Sequence, residues 1–136
     1  MIVLDASVWI SALKPLDVHH QVSDQWLADW ISGGGTISVP TLFLAEVGGA
    51  VARRSGVPAL GLQAVADLLK DPAIRLLPVN QPRAEASARH ASSLLIRGSD
   101  AVYVALAEQL GVPLITWDNE QLTRAATVID VRAPTI

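Results

Sequence analysis

Residues 1–10 read MIVLDASVWI. Three apolar residues, Ile2-Val3-Leu4, run directly into a carboxylate, and beyond Ala6-Ser7 the sequence turns apolar again. A short apolar run closed by a polar break fits a strand buried on both faces, as in parallel sheets. The segment that follows, around Ser7 to Leu13, fits a helix that Pro15 stops. Asp5 therefore stands where a buried strand ends and a helix begins. Two readings of it are open: a helix cap, or the first member of an acidic site assembled from distant segments.

The rest of the chain repeats that alternation. Val22, Trp26, Leu27 and Trp30 recur at helical spacing, which predicts a second helix over His19 to Ile31, ended by Gly33-Gly34-Gly35. Thr36 to Val39 reads as a strand, with Pro40 in the first turn of a helix running to about Ser55. Gly56 and Pro58 break it, and an amphipathic helix follows from Ala59 to Leu69. Ile74 to Val79 reads as strand, Gln81 to Ile96 and Ser99 to Leu110 as helices, and Pro113 to Thr116 as strand. Asn119 to Ala126 reads as a short helix and Thr127 to Val131 as a last strand. Short apolar strands alternating with helices predict βαβ units. The expected fold is a three-layer α/β/α sandwich around a central, mainly parallel sheet of about four to five strands, with residues 1–136 as a single domain.

Composition narrows the function classes. The chain has 136 residues, 51% of them hydrophobic and 17% charged, the balance of a compact ordered domain. No apolar stretch is long enough to span a bilayer, and Asp5 interrupts the N-terminal run before a secretory signal could form. Cysteine is absent, which excludes disulfides, thiolate nucleophiles and cysteine-ligated zinc. These features suit a cytoplasmic protein. Ten basic and thirteen acidic residues give a net charge of −3, too acidic to hold nucleic acid by phosphate neutralisation alone. A metal ion removes that objection by supplying positive charge locally.

Ligands of open α/β sheets bind outside the carboxyl ends of the strands. Asp5 lies at one such end and Asp118, in PLITWDNEQL, at another. Each also fits a cap, Asp118 in a capping box with Gln121. Glu46, in PTLFLAEVGGAVARR, has Leu42, Phe43, Gly49 and Ala50 as its helical neighbours. A carboxylate on so apolar a face needs a cation or a donor. Asp100, in RGSDAVYVALAEQLG, fits the first turn of a helix capped by Ser99, yet the face beside it is apolar. Four carboxylates converging at one sheet edge repel one another, which implies a hard divalent cation with oxygen ligands.

The segments LDASVWI, LAEV and SDAVYVALAEQLGVPLITWDNEQL, in that order, resemble the PIN domain, and the length resembles the VapC-type toxins of toxin–antitoxin pairs. The likeness covers essentially the whole chain, and its C-terminal block is the most specific part. It implies that Asp5, Glu46, Asp100 and Asp118 form the family's acidic site, supported by the hydroxyls of Ser7 and Thr116. It implies Mg²⁺- or Mn²⁺-dependent endoribonuclease activity on transfer RNA or other structured RNA, leaving a 5′-phosphate and a 3′-hydroxyl. Asp5 and Asp100 are then the most direct metal ligands, with Asp118 and Glu46 further out. A VapB-type antitoxin and a homodimer are the implied partners. One position departs from the pattern: many members carry a further Asp where this chain has Asn119 and Glu120, with Asn119 able to offer an oxygen to metal or water.

Other functions remain in view. A non-catalytic PIN-like module binding RNA or protein is the alternative. A haloacid-dehalogenase-like phosphohydrolase ranks well below, because its Asp-x-Asp motif meets Ser7 at the third position. Arg53 and Arg54 fit either helix-dipole cations or RNA contacts. Arg97 fits a contact to RNA or antitoxin, and Trp117 a stacking partner beside Asp118. His19 and His20 read as surface residues, and Trp9, Trp26 and Trp30 as core or interface.

Overall fold

A computed structural model describes residues 1–136. Its elements are β1 (Ile2–Leu4), α1 (Ala6–Leu13), α2 (His20–Ser32), β2 (Ile37–Pro40), α3 (Leu42–Ser55), α4 (Pro58–Lys70), β3 (Ile74–Leu77), α5 (Gln81–Leu94), α6 (Gly98–Leu110), β4 (Leu114–Ile115), α7 (Asn119–Arg124) and β5 (Val131–Arg132). The five strands form one sheet in the order β3-β2-β1-β4-β5, and every pairing is parallel. Helices on both faces make the three-layer α/β/α sandwich expected from the alternation. On one side α1 packs against α2 and α3, and α3 against α4; on the other α6 lies across β1, β2 and β4 with α5 alongside. No helix is long and apolar enough to cross a membrane.

The core follows from the apolar runs. Ile2, Val3, Leu4, Ile37, Val39, Leu114 and Ile115 line the central strands and are all buried. Helix α6 is apolar nearly all round, burying Ala101, Tyr103, Val104, Leu106 and Ala107, as befits an element laid on the middle of a sheet. Gly56 and Gly111 close α3 and α6 with positive φ, the left-handed cap that glycine adopts without steric cost. Asn80 caps α5 by accepting from the Arg83 N–H at 3.1 Å.

Strand order reverses beside β1. The chain steps outward through β2 and β3, then returns to place β4 on the other flank of β1. The crevice at such a switch point is where open α/β sheets hold ligands. Here Asp5 follows β1 and Asp118 follows β4 by three residues.

Three local expectations are corrected. Pro40 ends β2, paired with Leu77, rather than opening α3. It has no N–H to extend the ladder toward β1, whose register stops at Ser38, while the Thr41 N–H continues to the Leu77 carbonyl at 3.0 Å. The last strand is Val131–Arg132, not 127–131, because residues 125–127 form a 3₁₀ turn. The N–H groups of Val128 and Ile129 both bond the Ala125 carbonyl, so their apolar side chains close a turn instead of joining the ladder. Helix α6 starts at Gly98 with Arg97 at the capping position, and no side chain caps it, so Ser99 is not the cap.

Candidate functional site

Asp5 is 5% exposed, and its N–H bonds the Ile115 carbonyl at 3.0 Å, joining the end of β1 to β4. Its side chain makes no capping bond to α1. Instead Oδ2 accepts from Ser7 Oγ at 2.5 Å and from Thr116 Oγ1 at 2.9 Å. Both hydroxyls are fixed in turn: Trp117 N–H donates to Ser7 Oγ at 3.2 Å, and Asp118 N–H to Thr116 Oγ1 at 3.0 Å. The loop after β4 is thereby stitched to the loop after β1, and Oδ1 of Asp5 is left over.

Asp118 does serve as a cap, its Oδ1 accepting from Gln121 N–H at 2.9 Å. Its other oxygen, Oδ2, accepts from Arg97 Nη2 at 3.2 Å. Arg97 also donates through Nε to Asp100 Oδ2 at 3.1 Å, so one guanidinium bridges two acids of the site. Gln121 ties the same two carboxylates from below. It is fully buried, and its Nε2 donates to Asp100 Oδ1 at 3.3 Å, while Oε1 has no partner.

Glu46 sits on α3 and accepts from the Tyr103 hydroxyl on α6 at 2.5 Å through Oε1. Burial holds the Glu46 carboxyl above its ordinary value, with Asp5 and Asp100 adding to the rise and the Tyr103 hydrogen bond opposing it. Burial likewise raises Asp100, against the pull of Arg97. Tyr103, buried beside a carboxylate, is pushed up too and stays a donor.

Asp5, Glu46, Asp100 and Asp118 line one open cleft of about 570 Å³, with Ser7 and Arg97 beside them. Arg53, Arg54 and Trp117 reach the same cleft, Arg54 also standing 3.9 Å from Asp17. Thr116 is fully buried beneath it, and Asn119 opens instead onto an adjoining hollow with Leu95 and Glu120. One residue of the cleft and one buried behind it were missed or misread. His19, taken for a surface residue, is half-buried against Trp117 with ring centroids 3.9 Å apart and planes 10° from parallel. Tyr103, read only as part of the apolar face beside Asp100, donates to Glu46. Both connections join distant segments, and no local spacing announces them.

The donor set suits a hard divalent cation. Asp5 commits only Oδ2 and Glu46 only Oε1 to protein donors, leaving one carboxylate oxygen each. No three acids or histidines converge closely enough to enclose an ion unaided. An ion held here would have to keep several waters of its own, as Mg²⁺ does when it takes few carboxylates.

The raised Glu46 carboxyl makes stability depend on pH. A carboxyl whose pKa is raised by folding binds its proton more tightly in the folded state. Its stabilising contribution is complete below the unfolded value of 4.5 for Glu46 and is lost as pH rises through the folded value. Glu46→Gln keeps an acceptor for Tyr103 and removes the charge. In EDTA at neutral pH the variant is expected to melt above the parent chain, within the few degrees that ~1 kcal/mol shifts a domain of this size. The gap should close as pH falls toward 4.5. Thermal melts across that range check it, and a gap independent of pH would count against it.

A family model described as PIN domain matches residues 2–128. No curated protein matches the chain significantly by sequence. Among solved structures, the chain is similar to the VapC20 toxin of Mycobacterium tuberculosis, described as cleaving the sarcin–ricin loop. Identity is 21%, TM-score 0.76, and the match covers 97% of this chain and 99% of that one. It is similar to FitAcB from Neisseria gonorrhoeae at 23% identity and TM-score 0.73, covering 98% of each chain. DNA-bound VapBC from Salmonella typhimurium matches at 15% identity and TM-score 0.71, over 99% of this chain and 100% of the other. At these identities the likeness is one of fold.

Proposed function

Because the chain belongs to the PIN domain family, we propose that it is a metal-dependent endoribonuclease, the toxin of a toxin–antitoxin pair with a VapB-type partner. The observation that carries this reading is the convergence of four carboxylates from four separate segments on one cleft at the switch point of the sheet. The toxin assignment draws its support from structural neighbours described as a toxin–antitoxin complex, a cleaving toxin and DNA-bound VapBC. Homodimerisation belongs to the same proposal; Leu62 and Leu69, exposed two turns apart on α4, supply apolar surface for it.

Asp5 would hold Mg²⁺ or Mn²⁺ through its free oxygen and Asp100 once the ion displaces Arg97 from its Oδ2, with Asp118 and Glu46 completing the set. When bound, such an ion neutralises phosphate charge and lowers the pKa of a coordinated water. The chain's own groups do the rest. Ser7 and Thr116 fix the Asp5 carboxylate in one rotamer, so its free oxygen is presented to the cleft without a search over conformations. Tyr103 orients Glu46 in the same way, and a carboxylate of raised pKa is the better proton acceptor at neutral pH. Arg97 and the α3 arginines contribute fixed positive charge to a cleft that is otherwise acidic, which suits a polyanion.

The test is cleavage of mixed cellular RNA by the purified chain with Mg²⁺ or Mn²⁺, against the same reaction in EDTA. Endonucleolytic products ending in 5′-phosphate and 3′-hydroxyl, lost on chelation, are expected. RNA left intact with either metal, or cut equally in EDTA, overturns the reading in favour of a non-catalytic PIN-like module.

A further inference from the structure

We propose that His19, backed by Trp117, is the platform on which an unpaired nucleobase of the substrate stacks next to the scissile phosphate. The inference rests on the ribonuclease reading for its substrate class, and on the following geometry for its place. The imidazole lies face to face on the indole, 3.9 Å between centroids and 10° from parallel. Both rings line the cleft that holds the four carboxylates.

The indole is not free to turn. Its Nε1–H donates to Ser23 Oγ at 2.8 Å, and that hydroxyl is itself bonded to Ser11 Oγ at 2.7 Å, both serines being buried. Its backbone N–H is held by Ser7 Oγ, the same oxygen that fixes Asp5. The platform and the acidic site are thus one rigid unit, and a base seated on the platform is registered to Asp5 through two hydrogen bonds. His19, like Trp117, is partly exposed and lines the cleft. Its backbone N–H is secured by Asp17 Oδ1 at 2.9 Å, whereas the imidazole nitrogens make no hydrogen bond. A π face with two unspent polar edges, in a cleft that Arg53 and Arg54 also line, has the chemistry of a base-recognition subsite.

The pair also fits the acidity of the chain. At a net charge of −3, phosphate contacts alone hold RNA weakly. Stacking adds affinity that is insensitive to the charge balance and works for any base.

The probes are 5′-AMP and ribose 5-phosphate, which share the phosphate and differ by the base. Binding of each to the full chain in EDTA is followed by nuclear magnetic resonance on the Trp117 indole N–H, and by titration. Expected is a preference for 5′-AMP of about tenfold, toward the low end of what base–aromatic stacking supplies, with the Trp117 signal moving for 5′-AMP alone. His19→Phe keeps the π face and should keep the preference. His19→Leu covers the indole with saturated carbon and should bring the two probes to parity. Truncation to alanine is avoided because it uncovers Trp117 as a substitute platform. Equal binding of the two probes, a preference that survives His19→Leu, or N-acetyltryptophanamide binding as tightly as 5′-AMP overturns the proposal. The last outcome would mark a peptide side-chain pocket. Base-dependent binding without any metal-dependent RNA cleavage would support the platform and overturn the ribonuclease reading; cleavage without base-dependent binding would do the reverse.

Discussion

Asp5→Asn is expected to lower metal-dependent RNA cleavage by about 10²-fold or more while leaving the fold intact. The asymmetry comes from how Asp5 is held. Oδ2 accepts both hydrogen bonds, from Ser7 and Thr116, and an asparagine can place its carbonyl oxygen there unchanged. Its amide nitrogen then takes the position of Oδ1 and turns a donor toward the cleft, where a cation requires an acceptor. The variant should therefore melt within a few degrees of the parent chain in EDTA. The rise in melting temperature that Mg²⁺ or Mn²⁺ gives the parent chain, by binding only the folded state, should be lost or much reduced. Cleavage rate and metal-induced stabilisation are separate readouts. A variant that cleaves as fast as the parent, or is stabilised by metal as much, would remove Asp5 from the site. Ser7→Ala, which deletes one of the two clamps, should show a smaller loss of cleavage in the same assay.

The legible part of the molecule was the part written in short range. Ile2-Val3-Leu4 read as a buried strand, and with four similar runs separated by helices it implied the parallel sandwich. Asp5, Asp100 and Asp118 could be placed at element ends because those ends are marked by the turn from apolar to polar residues. Boundaries failed where two signals competed. Pro40 suits a helix start, yet it also suits a strand end where no ladder bond is needed. Val128 and Ile129 carry strand-like side chains, but the Ala125 carbonyl captures both their N–H groups first.

Within the cleft, what was legible was each acid and what was not was its support. Glu46 looked uncompensated because its partner Tyr103 lies 57 residues away. The Asp5 clamp from Thr116 spans 111 residues, and no spacing rule reaches that far. His19 looked like an exposed loop residue for the same reason: the ring it stacks on comes from the far end of the chain. Arg97 is the intermediate case. Its proximity to Asp100 is local, i to i+3, but its second contact, to Asp118, depends on the sheet bringing β4 beside β1. Single residues were readable, and the pairs that give them their chemistry were mostly tertiary.

Gly61→Val is expected to destabilise the fold strongly. Glu46, Arg53 and Arg54 all ride on α3, and α3 is held in place by α4. The two helices meet at Gly48 and Gly61. A Cβ on Gly61 would lie 2.4 Å from the Gly48 carbonyl oxygen and 2.9 Å from Ala52 Cβ, so backbone, not a flexible side-chain tip, must give way. Helix propensity argues the other way, since replacing glycine inside a helix gains a few tenths of a kcal/mol with valine. The clash outweighs it: forced overpacking costs typically ~1–3 kcal/mol and more when backbone blocks the way. A loss near the upper end corresponds to a fall in melting temperature of about 10 °C for a chain of this length. Gly98→Ala makes the control. A Cβ there meets nothing within 4 Å, and its φ lies outside the left-handed range, so propensity acts unopposed and the melting temperature should hold or rise slightly. Thermal melts of the two variants decide between close helix approach and propensity as the reason for glycine in α4. A Gly61→Val chain as stable as the parent would mean that α3 and α4 separate at little cost, and that the cleft wall bearing Glu46 is not rigidly set by their contact.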